Sequence, residues 1–559
     1  MLRFAPTLTL AVFLLPIAAG LIGTLLPAFG YLPAIGGTAF NLAPWRDLIA
    51  YPGFASALRL TLTAGFAATT LSFVLAVALC ACLYGSPLFA RLQSLLAPVL
   101  ATPHSALALG WAFLIAPSGW LSRWLSPEIT GWAQPPDIAT VNDAGGVALT
   151  LGLVLKETPY LLLMMVAALN QVPAARHLAI TRSLGYTQAT AWIKVILPQI
   201  YPQLRLPLYA VLAFSLSVVD VALILGPGNP PTLAVLATRW FFDADVRLYF
   251  PAAAAAMLQL LLIVTTIGCW RVGELAVVAL GQCWIARGKR GCGDKMMKAQ
   301  ALIALGLLAG SLLSLLGMAL WSFAARWRFP DALPTEWTLT TWARHAGVLA
   351  WPGQMTLAVG LTATAFALLL TLGCLEHEQR HGVRGGSGAL WLLYAPLLVP
   401  QIAFLFGAQV LLIRLGLDGT FAAVVWAHLL FVLPYLFLSL ADPWRVFDPR
   451  YARTAASLGA SANAVFWRVK LPMLLQPILI ACAVGFAVSV GQYLPTLFAG
   501  NGRITTLTTE AVTLAGGNDR RVLGVYVFLQ ALLPFALYTF ALVLPALVYR
   551  QRQDMRGAR

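Results

Sequence analysis

The 559-residue chain has few charged residues, cysteines and histidines for its length. Only 10% of its residues are Asp, Glu, Lys or Arg, whereas 60% are hydrophobic and the mean hydropathy is +0.82. This balance excludes an ordinary water-soluble protein. The seven cysteines and six histidines favour neither a disulfide framework nor a metal site, so we predict no metal, no cofactor and no catalytic residue. The sequence also lacks a Gly-x-x-x-x-Gly-Lys-Ser/Thr phosphate loop.

Long apolar segments recur along the whole chain. A hydrocarbon core about 30 Å thick is crossed by roughly 20 helical residues. We therefore predict an all-α polytopic membrane protein with about twelve transmembrane helices. The predicted spans are 7–29, 56–82, 91–116, 146–169, 204–226, 250–273, 300–324, 353–375, 389–413, 420–441, 474–498 and 521–548.

The excess positive charge predicts the orientation in the membrane. The formal net charge is +16, and the excess Lys and Arg lie on the side that holds both termini, segment 274–299 and two polar loops. Because Lys- and Arg-rich loops remain cytoplasmic, we predict that both termini face the cytoplasm. The positive net charge then reflects the orientation of the chain in the lipid bilayer, and we expect no nucleic-acid partner.

Those two polar loops are copies of one pattern, 274 residues apart. Residues 176–198 read RHLAITRSLGYTQATAWIKVILP, and residues 450–472 read RYARTAASLGASANAVFWRVKLP. Flanking residues also correspond, for example Thr61 with Thr356 and Pro103 with Pro400. We therefore predict two parallel repeats, each with six spans in the same order, joined by a basic cytoplasmic linker. The boundaries are 1–273 for the first half, 274–299 for the linker and 300–559 for the second half.

Each loop has the pattern of a short helix offered to a partner. Gly185 and Gly459 follow helix-compatible runs and can adopt positive φ. The next residues have apolar helical spacing with a cationic residue, and Pro198 and Pro472 suit the first turn of a membrane helix. A basic, solvated connection is the simpler alternative. It does not explain the same Gly-to-Pro spacing twice, so we favour docking.

The loops resemble the coupling motif of binding-protein-dependent ABC importer permeases, which runs Glu-Ala-Ala, three residues, Gly, nine residues, Ile-x-Leu-Pro. Val replaces Ile here, and 179–181 and 453–455 depart from Glu-Ala-Ala. The matching residues are Gly185, Val195, Leu197 and Pro198 in the first copy and Gly459, Val469, Leu471 and Pro472 in the second.

That resemblance implies a type I permease fold in a bacterial inner membrane. It implies two copies of a cytoplasmic ABC ATPase on the two loops and a periplasmic solute-binding protein on the other side. One chain with two permease halves looks like the iron(III) and thiamine group, so a thiamine-like cofactor is the expected solute and iron(III) the alternative. The candidate coupling residues are Arg176, Arg182, Ser183, Leu184, Gly185, Trp192, Lys194, Leu197, Pro198, Arg450, Arg453, Ser457, Leu458, Gly459, Phe466, Arg468, Leu471 and Pro472.

Three ionisable residues fall inside predicted spans, all in the first half. Lys156 and Glu157 lie in the fourth span and Asp220 in the fifth. Such groups are costly in a membrane and pair with one another or face a cavity. A structural Lys156–Asp220 pair is one alternative, and a solute pathway in which Asp220 contacts a cation is the other. Gln492 occupies the corresponding zone of the second half and is the fourth pathway candidate.

Two other classes share some of these features. A twelve-span secondary transporter would also have parallel halves, but it would be expected to carry more intramembrane charge. A membrane enzyme is the third class, and the histidine spacing gives it little support. Co-purification of a soluble ATPase would separate the ABC type from both.

Overall fold

The chain is almost entirely helical. The computed structural model describes residues 4–126, 128–291, 293–382, 387–517 and 519–550. Within these residues the predicted all-α polytopic class is confirmed, and the sole sheet pairs the short antiparallel strands β1 (Ala324–Arg326) and β2 (Glu336–Trp337).

The helices of the first half follow the order of the predicted spans, with short helices in the connections. They are α1 (Ala5–Ala28), α2 (Ala43–Ala50), α3 (Phe54–Leu83), α4 (Pro87–Ala101), α5 (His104–Ile115), α6 (Trp120–Leu125), α7 (Val147–Leu169), α8 (Ala174–Ser183), α9 (Gln188–Ala191), α10 (Leu197–Ser217), α11 (Asp220–Leu225), α12 (Leu233–Phe241) and α13 (Tyr249–Ala286).

The second half repeats most of this order. Its helices are α14 (Asp294–Phe323), α15 (Thr340–His381), α16 (Ser387–Leu398), α17 (Gln401–Arg414), α18 (Phe421–Val446), α19 (Pro449–Ser457), α20 (Ala462–Val465), α21 (Leu471–Met473), α22 (Leu475–Val490), α23 (Leu494–Gly500), α24 (Leu507–Leu514) and α25 (Arg520–Val548).

Not every predicted span is one continuous helix. In the described part of the chain, nine helices are long and apolar enough to cross a membrane, and the pair Ala462–Met473 and Leu475–Val490, bent by 73°, makes ten if it counts as one span. The third predicted span of each half is divided before its proline, at Pro103 and Pro400. Proline disfavours a helical conformation in the residue before it, so a helix ends there although the composition stays apolar. The fifth span of each half is divided as well, between α10 and α11 and between α22 and α23.

The same side-chain contact occurs once within each half, at positions that correspond in the sequence repeat. The Thr61 hydroxyl of α3 accepts a hydrogen bond from the Leu233 amide at 2.9 Å, and the Thr356 hydroxyl of α15 accepts one from the Leu507 amide at 2.9 Å. Each contact fixes the first residue of a short helix, α12 or α24, against the second span of its own half. The tertiary structure therefore supports the sequence match between Thr61 and Thr356.

The first helix of each half packs against the opposite half. Helix α1 packs against α17, and α14 packs against α5. A Cβ atom on Gly23 would lie 2.8 Å from the Gly407 Cα, and one on Gly110 would lie 2.8 Å from the Ser314 carbonyl oxygen. Small residues allow membrane helices to approach this closely. The halves are therefore interlocked, and the surface between them, called the seam below, runs along α5, α11, α24 and α25.

Helices extend into the predicted linker 274–299 from both sides. Helix α13 continues to Ala286 and α14 begins at Asp294, and the described residues between them, 287–291 and 293, are not helical. Gly288, just after α13, and Gly293, just before α14, have φ of +62° and +82°, values that favour glycine.

Candidate functional site

Each repeat loop folds as a helix, a left-handed glycine turn and a second helix. Helices α8 and α19 end at Ser183 and Ser457, and the glycines two residues later have φ of +80° at Gly185 and +86° at Gly459. In both loops the amide that follows the glycine donates a hydrogen bond at 3.0 Å to the carbonyl five residues earlier. This is the Schellman arrangement, which satisfies the last carbonyls of a helix. The glycine turn expected from the sequence is therefore present twice.

The second helix of each loop starts and ends in the same way in both copies. Thr187 and Ser461 are the N-cap residues, with extended backbone conformations. After one α-helical turn, the backbone forms a π-helical turn over Trp192–Ile196 and over Phe466–Lys470. The Leu-Pro pair then starts the next helix. Such π turns occur frequently at functional sites, and here they fix the second helix of each loop to the following span.

Large apolar side chains of both loops are exposed on the same end of the molecule. In the second loop, Leu458 is 83% exposed and Trp467 is 67% exposed. In the first loop, Leu184 is 53% exposed and Ile193 is 41% exposed. Residues at corresponding positions are therefore presented twice: Leu184 with Leu458, and Ile193 with Trp467. Exposed apolar clusters of this kind mark protein or membrane contacts.

The predicted aromatic and basic residues of the second helices are only partly accessible. Trp192 and Lys194 are buried, Phe466 is half-buried and Arg468 is exposed. Trp192 packs against Tyr84, with 6.0 Å between the ring centroids. The apolar face expected from the sequence therefore packs into this chain's own core, and the neighbouring Ile193 and Trp467, which the sequence reading did not single out, are the ones exposed.

The remaining candidate coupling residues divide into two groups. Leu197, Leu471 and Pro472 are half-buried at the starts of the next helices, and Pro198 beside them is exposed. The exposed basic and hydroxyl residues are Arg176, Arg182, Ser183, Arg450, Arg453 and Ser457.

The first loop is held by the connection between the halves. The Thr187 amide donates to the Arg290 carbonyl oxygen at 2.9 Å, and the Ala189 amide donates to the Asp294 carboxylate at 2.7 Å. The Lys194 ammonium donates to two carbonyl oxygens of segment 284–289, at 2.9 and 3.2 Å. A carboxylate at the start of a helix satisfies free amides there. The fused connection is therefore part of the structure of the first loop.

The second loop is held by buried charge. The Lys470 ammonium lies 2.8 Å from the Glu376 carboxylate, and the Arg380 guanidinium lies 2.7 Å from the same carboxylate. By the repeat offsets of 274 and 295 residues, Lys470 corresponds to Ile196 and Glu376 corresponds to Ala81. The first half thus has an apolar pair where the second half has an ion pair, so the two loops share a shape and differ in what fixes it.

Lys156 has a structural role that the sequence did not predict. Its ammonium donates to the carbonyl oxygens of Val99, Leu100 and Thr102 at 2.9, 2.8 and 2.5 Å. Pro103 ends α4, which leaves the last carbonyls of that helix without amide partners, and a cation there complements the helix dipole. The expected alternative of a Lys156–Asp220 ion pair is therefore wrong.

Glu157, the acidic residue of the fourth span, lies beside a histidine at the seam. His104 Nε2 lies 3.5 Å from the Glu157 carboxylate, and the His104 side chain is 34% exposed whereas that of Glu157 is 6% exposed. A Cβ atom on Gly491 would lie 3.8 Å from Pro103 Cβ. The broken third span of the first half therefore meets the broken fifth span of the second half, next to His104 and Gln492.

Asp220 and Gln492 lie close to this meeting point, and each has a side-chain oxygen that can accept a further hydrogen bond. Both are buried, and Asp220 is within electrostatic range of His104 and Tyr493. Among the described residues, no Lys, Arg or His nitrogen lies within 4 Å of the Asp220 carboxylate, and Gln492 Oε1 has no hydrogen-bond partner. His104 was missed from the sequence, although its position directly after the helix-breaking Pro103 is a usable signal.

The corresponding zone of the second half is polar and uncharged. Buried His428 contacts the hydroxyls of Ser489 and Thr496 at 2.7 and 2.8 Å, so both ring nitrogens have partners. The two buried carboxylates beside this meeting point, those of Glu157 and Asp220, therefore both come from the first half. Two buried carboxylates at this depth favour a cation over an anion.

The whole chain is similar to a bacterial permease of the same size. It is 33% identical over 518 residues to the inner membrane ABC transporter permease protein YnjC of Escherichia coli (strain K12), with 93% of each chain covered. No protein-family model matches the sequence.

Shorter relatives match part of the chain. The molybdenum transport system permease protein ModB of Mycobacterium tuberculosis (strain ATCC 25618 / H37Rv) is 33% identical over 189 residues, 30% of this chain and 70% of ModB. The putrescine transport system permease protein PotI of Escherichia coli (strain K12) is 27% identical over 188 residues, 30% of this chain and 66% of PotI. Because the match to YnjC covers 93% of both chains, this chain belongs to the inner-membrane permeases of ABC transporters and carries its two permease units in one polypeptide.

Proposed function

We propose that this chain forms the solute pathway of an ATP-driven, binding-protein-dependent importer and couples it to a cytoplasmic ATPase. The two repeat loops carry this proposal, because they present the same helix–glycine–helix shape with exposed apolar residues at matching positions. Two docking surfaces of the same shape suit two copies of one partner. ATP hydrolysis then takes place on the partner and not on this chain.

The division into halves is part of the proposal. Residues 1–273 and 300–559 act as two permease units, with 274–299 as the cytoplasmic linker and both termini in the cytoplasm. The positive-inside distribution of Lys and Arg supports this orientation. The solute-binding protein then docks on the face opposite the loops, and the seam between the halves is the pathway.

A cationic solute is the class that the seam favours. Asp220 and Glu157 are buried there without a Lys or Arg partner among the described residues, and Lys156 is occupied by backbone carbonyls. A thiamine-like cofactor is our first proposal for the solute. Iron(III) carried by the same machinery is the alternative, and both rest on the resemblance of a fused two-half permease to that group.

Uptake of labelled thiamine into cells tests the role of Asp220. Asp220→Asn removes the charge with little change in volume, so we expect uptake to fall at least tenfold while the ATPase still co-purifies. His428→Asn, which changes a buried polar residue at the corresponding zone of the second half, is the matched control. Normal uptake by Asp220→Asn would refute the pathway role, and a pathway for iron(III) would show loss of iron uptake instead.

Co-purification separates the proposed class from a twelve-span secondary transporter. The tagged chain, extracted in mild detergent, should bring down a soluble ABC ATPase. Trp467→Ala should weaken this association, whereas Trp337→Ala, which removes another exposed tryptophan from β2 outside the loops, should not. Transport without any ATPase partner would favour the secondary transporter.

A further inference from the structure

A large open cavity lies at the end of the seam farthest from the repeat loops. Its volume is about 730 Å³, and it is lined by both halves. Phe113 of α5 and Ile224 of α11 come from the first half, and Trp321 of α14 and Arg520 of α25 come from the second. This volume is within the range of small-molecule sites, roughly 300–1,000 Å³.

The position of the cavity follows from contacts at the other ends of the same helices. Helix α14 starts at Asp294, which binds the first repeat loop, so Trp321 lies at its far end. Helix α25 ends beside the second loop, where the Tyr549 hydroxyl donates to the Pro472 carbonyl oxygen at 2.9 Å, so Arg520 lies at its far end. The cavity therefore opens on the face opposite the loops.

Arg520 is a half-buried cation without an acidic partner. Its guanidinium donates to the Ser118 carbonyl oxygen at 3.3 Å and to the Ser118 hydroxyl at 2.7 Å, and it lies 5.2 Å from the centre of the Phe113 ring and 5.8 Å from that of Trp321. In the chain as described, no carboxylate oxygen lies within 4 Å of it. A guanidinium has five N–H donors, so donors remain for a ligand.

The nearby acid is already neutralised. Asp519 lies 3.2 Å from the Arg521 guanidinium and also accepts a hydrogen bond from the Arg521 amide at 3.0 Å. Partial burial alone would raise the pKa of Asp519, but the hydrogen bonds and charge of Arg521 outweigh it and hold the pKa below its ordinary value. Arg521 and Asp519 therefore compensate each other, and Arg520 leaves the cavity with one uncompensated positive charge.

A second cation increases the positive potential behind the cavity. Among the described residues, buried Arg123 donates to three backbone carbonyl oxygens, those of Ser118, Arg328 and Asp331, and its guanidinium lies 5.2 Å from the centre of the Trp327 ring. Ser118 thus bridges Arg123 and Arg520. The Asp331 carboxylate lies within electrostatic range of Arg123, whereas Arg520 has no such partner among the described residues. Removing a cation from water is costly unless an anion is close, so Arg520 favours an anionic ligand.

The geometry points to a site for a small organic anion: we propose that the cavity binds an oxyanion group, carboxylate or phosphate, at Arg520, with an apolar or aromatic body against Phe113, Ile224 and Trp321. Guanidinium and oxyanion form short, charge-assisted and often bidentate hydrogen bonds, and the rings of the cavity provide the apolar contact. The lining from both halves at the end of the seam favours a soluble ligand over a lipid headgroup.

This site is distinct from the buried acids of the pathway. Ile224 lies four residues beyond Asp220 on α11, a rise of about 6 Å. The inference uses the proposed function only in treating the seam as the pathway. Binding to the purified chain requires neither the ATPase nor transport, so failure of this inference leaves the proposed function untouched, and the reverse also holds.

Calorimetry on the full-length chain in phosphatidylcholine nanodiscs tests the proposal. Phenyl phosphate is the probe and benzyl alcohol is the uncharged control, which should bind at least tenfold more weakly. Arg520→Gln should weaken phenyl phosphate binding about tenfold, the effect of one charge-assisted hydrogen bond. Arg326→Gln, which changes an exposed arginine of β1 outside the cavity lining, should leave the affinity unchanged. Equal affinity of Arg520→Gln and the unchanged chain would overturn the proposal.

Two further arms keep the outcome decisive. In Ala112→Cys, at the cavity wall, phenyl phosphate should slow modification of the new thiol by a charged methanethiosulfonate at least tenfold, as followed by peptide mass spectrometry at that site. No protection there would overturn the site even if Arg520→Gln fails to fold.

In nanodiscs containing phosphatidylglycerol, the affinity for phenyl phosphate should not change. Competition by that lipid would identify a headgroup as the ligand and overturn the assignment to a soluble solute.

Discussion

The buried ion pair beneath the second repeat loop gives a quantitative test of how the two halves differ. The side chains of Lys470 and Glu376 are 7% and 3% exposed, and their charged atoms lie 2.8 Å apart. Removing one partner from a buried pair costs about 3–5 kcal/mol. Because Arg380 still lies 2.7 Å from the carboxylate, we expect Lys470→Ile to cost less than that, about 2 kcal/mol of unfolding free energy.

Placing the residues of the first half at these two positions should remove most of this loss of unfolding free energy. Ala81 and Ile196 occupy the corresponding positions of the first half. The double variant Glu376→Ala with Lys470→Ile leaves no buried carboxylate beneath the second loop, and replacing buried ion pairs by apolar residues is often neutral. We therefore expect the double variant to lie within about 1 kcal/mol of the unchanged chain, and to be more stable than the single variant.

Unfolding of the full chain in mixed micelles with increasing dodecyl sulfate, followed by far-ultraviolet circular dichroism, measures these differences. Arg326→Gln, which breaks the exposed Arg326–Glu336 pair, should cost less than about 1 kcal/mol and serves as the control. The reasoning is refuted if Lys470→Ile is as stable as the unchanged chain, or if the double variant loses as much stability as the single one.

Three further substitutions test other parts of the structure. Lys156→Met removes the donor to three carbonyls at the end of α4 and should lower the unfolding free energy by about 3 kcal/mol; a stable variant on denaturant titration would contradict the capping role. Gly407→Ala would place a Cβ atom 2.7 Å from the Gly23 carbonyl carbon and should lower the melting temperature, whereas Gly353→Ala, which meets open space in a helix, should raise it or leave it unchanged. Gly459→Ala forces a side chain into φ of +86° and should cost about 1 kcal/mol and weaken ATPase binding, with Gly459→Asn less affected; equal binding by both would count against the turn.

Much of the fold could be predicted because it is encoded locally. Apolar length predicts a membrane helix, and a Gly at a fixed distance before Leu-Pro predicts the turn at Gly185 and Gly459. The divided spans were not predicted, because hydropathy measures composition and not backbone continuity. Pro103 and Pro400 carried that information, and they are the points where the helices end.

The contacts that give each site residue its role depend on tertiary structure. No sequence spacing indicates that Lys156 reaches the end of α4, or that Asp294 caps a helix of the first repeat loop. The amphipathic face that contains Trp192 was recognised, but whether such a face packs against its own core or a partner depends on what lies beneath it. Arg520 was visible only as a residue at the start of a span.

The number of ATPase copies bound to each pair of permease halves tests the central claim most directly. Native mass spectrometry of the complex extracted with its ATPase should give two ATPase copies for one copy of this chain. Trp467→Ala should convert this to a mixture with one copy, because it weakens the second loop and leaves the first intact. A chain that carries no ATPase, or one that binds a single copy with Ile193 and Trp467 both unchanged, would contradict the account of two matching docking loops.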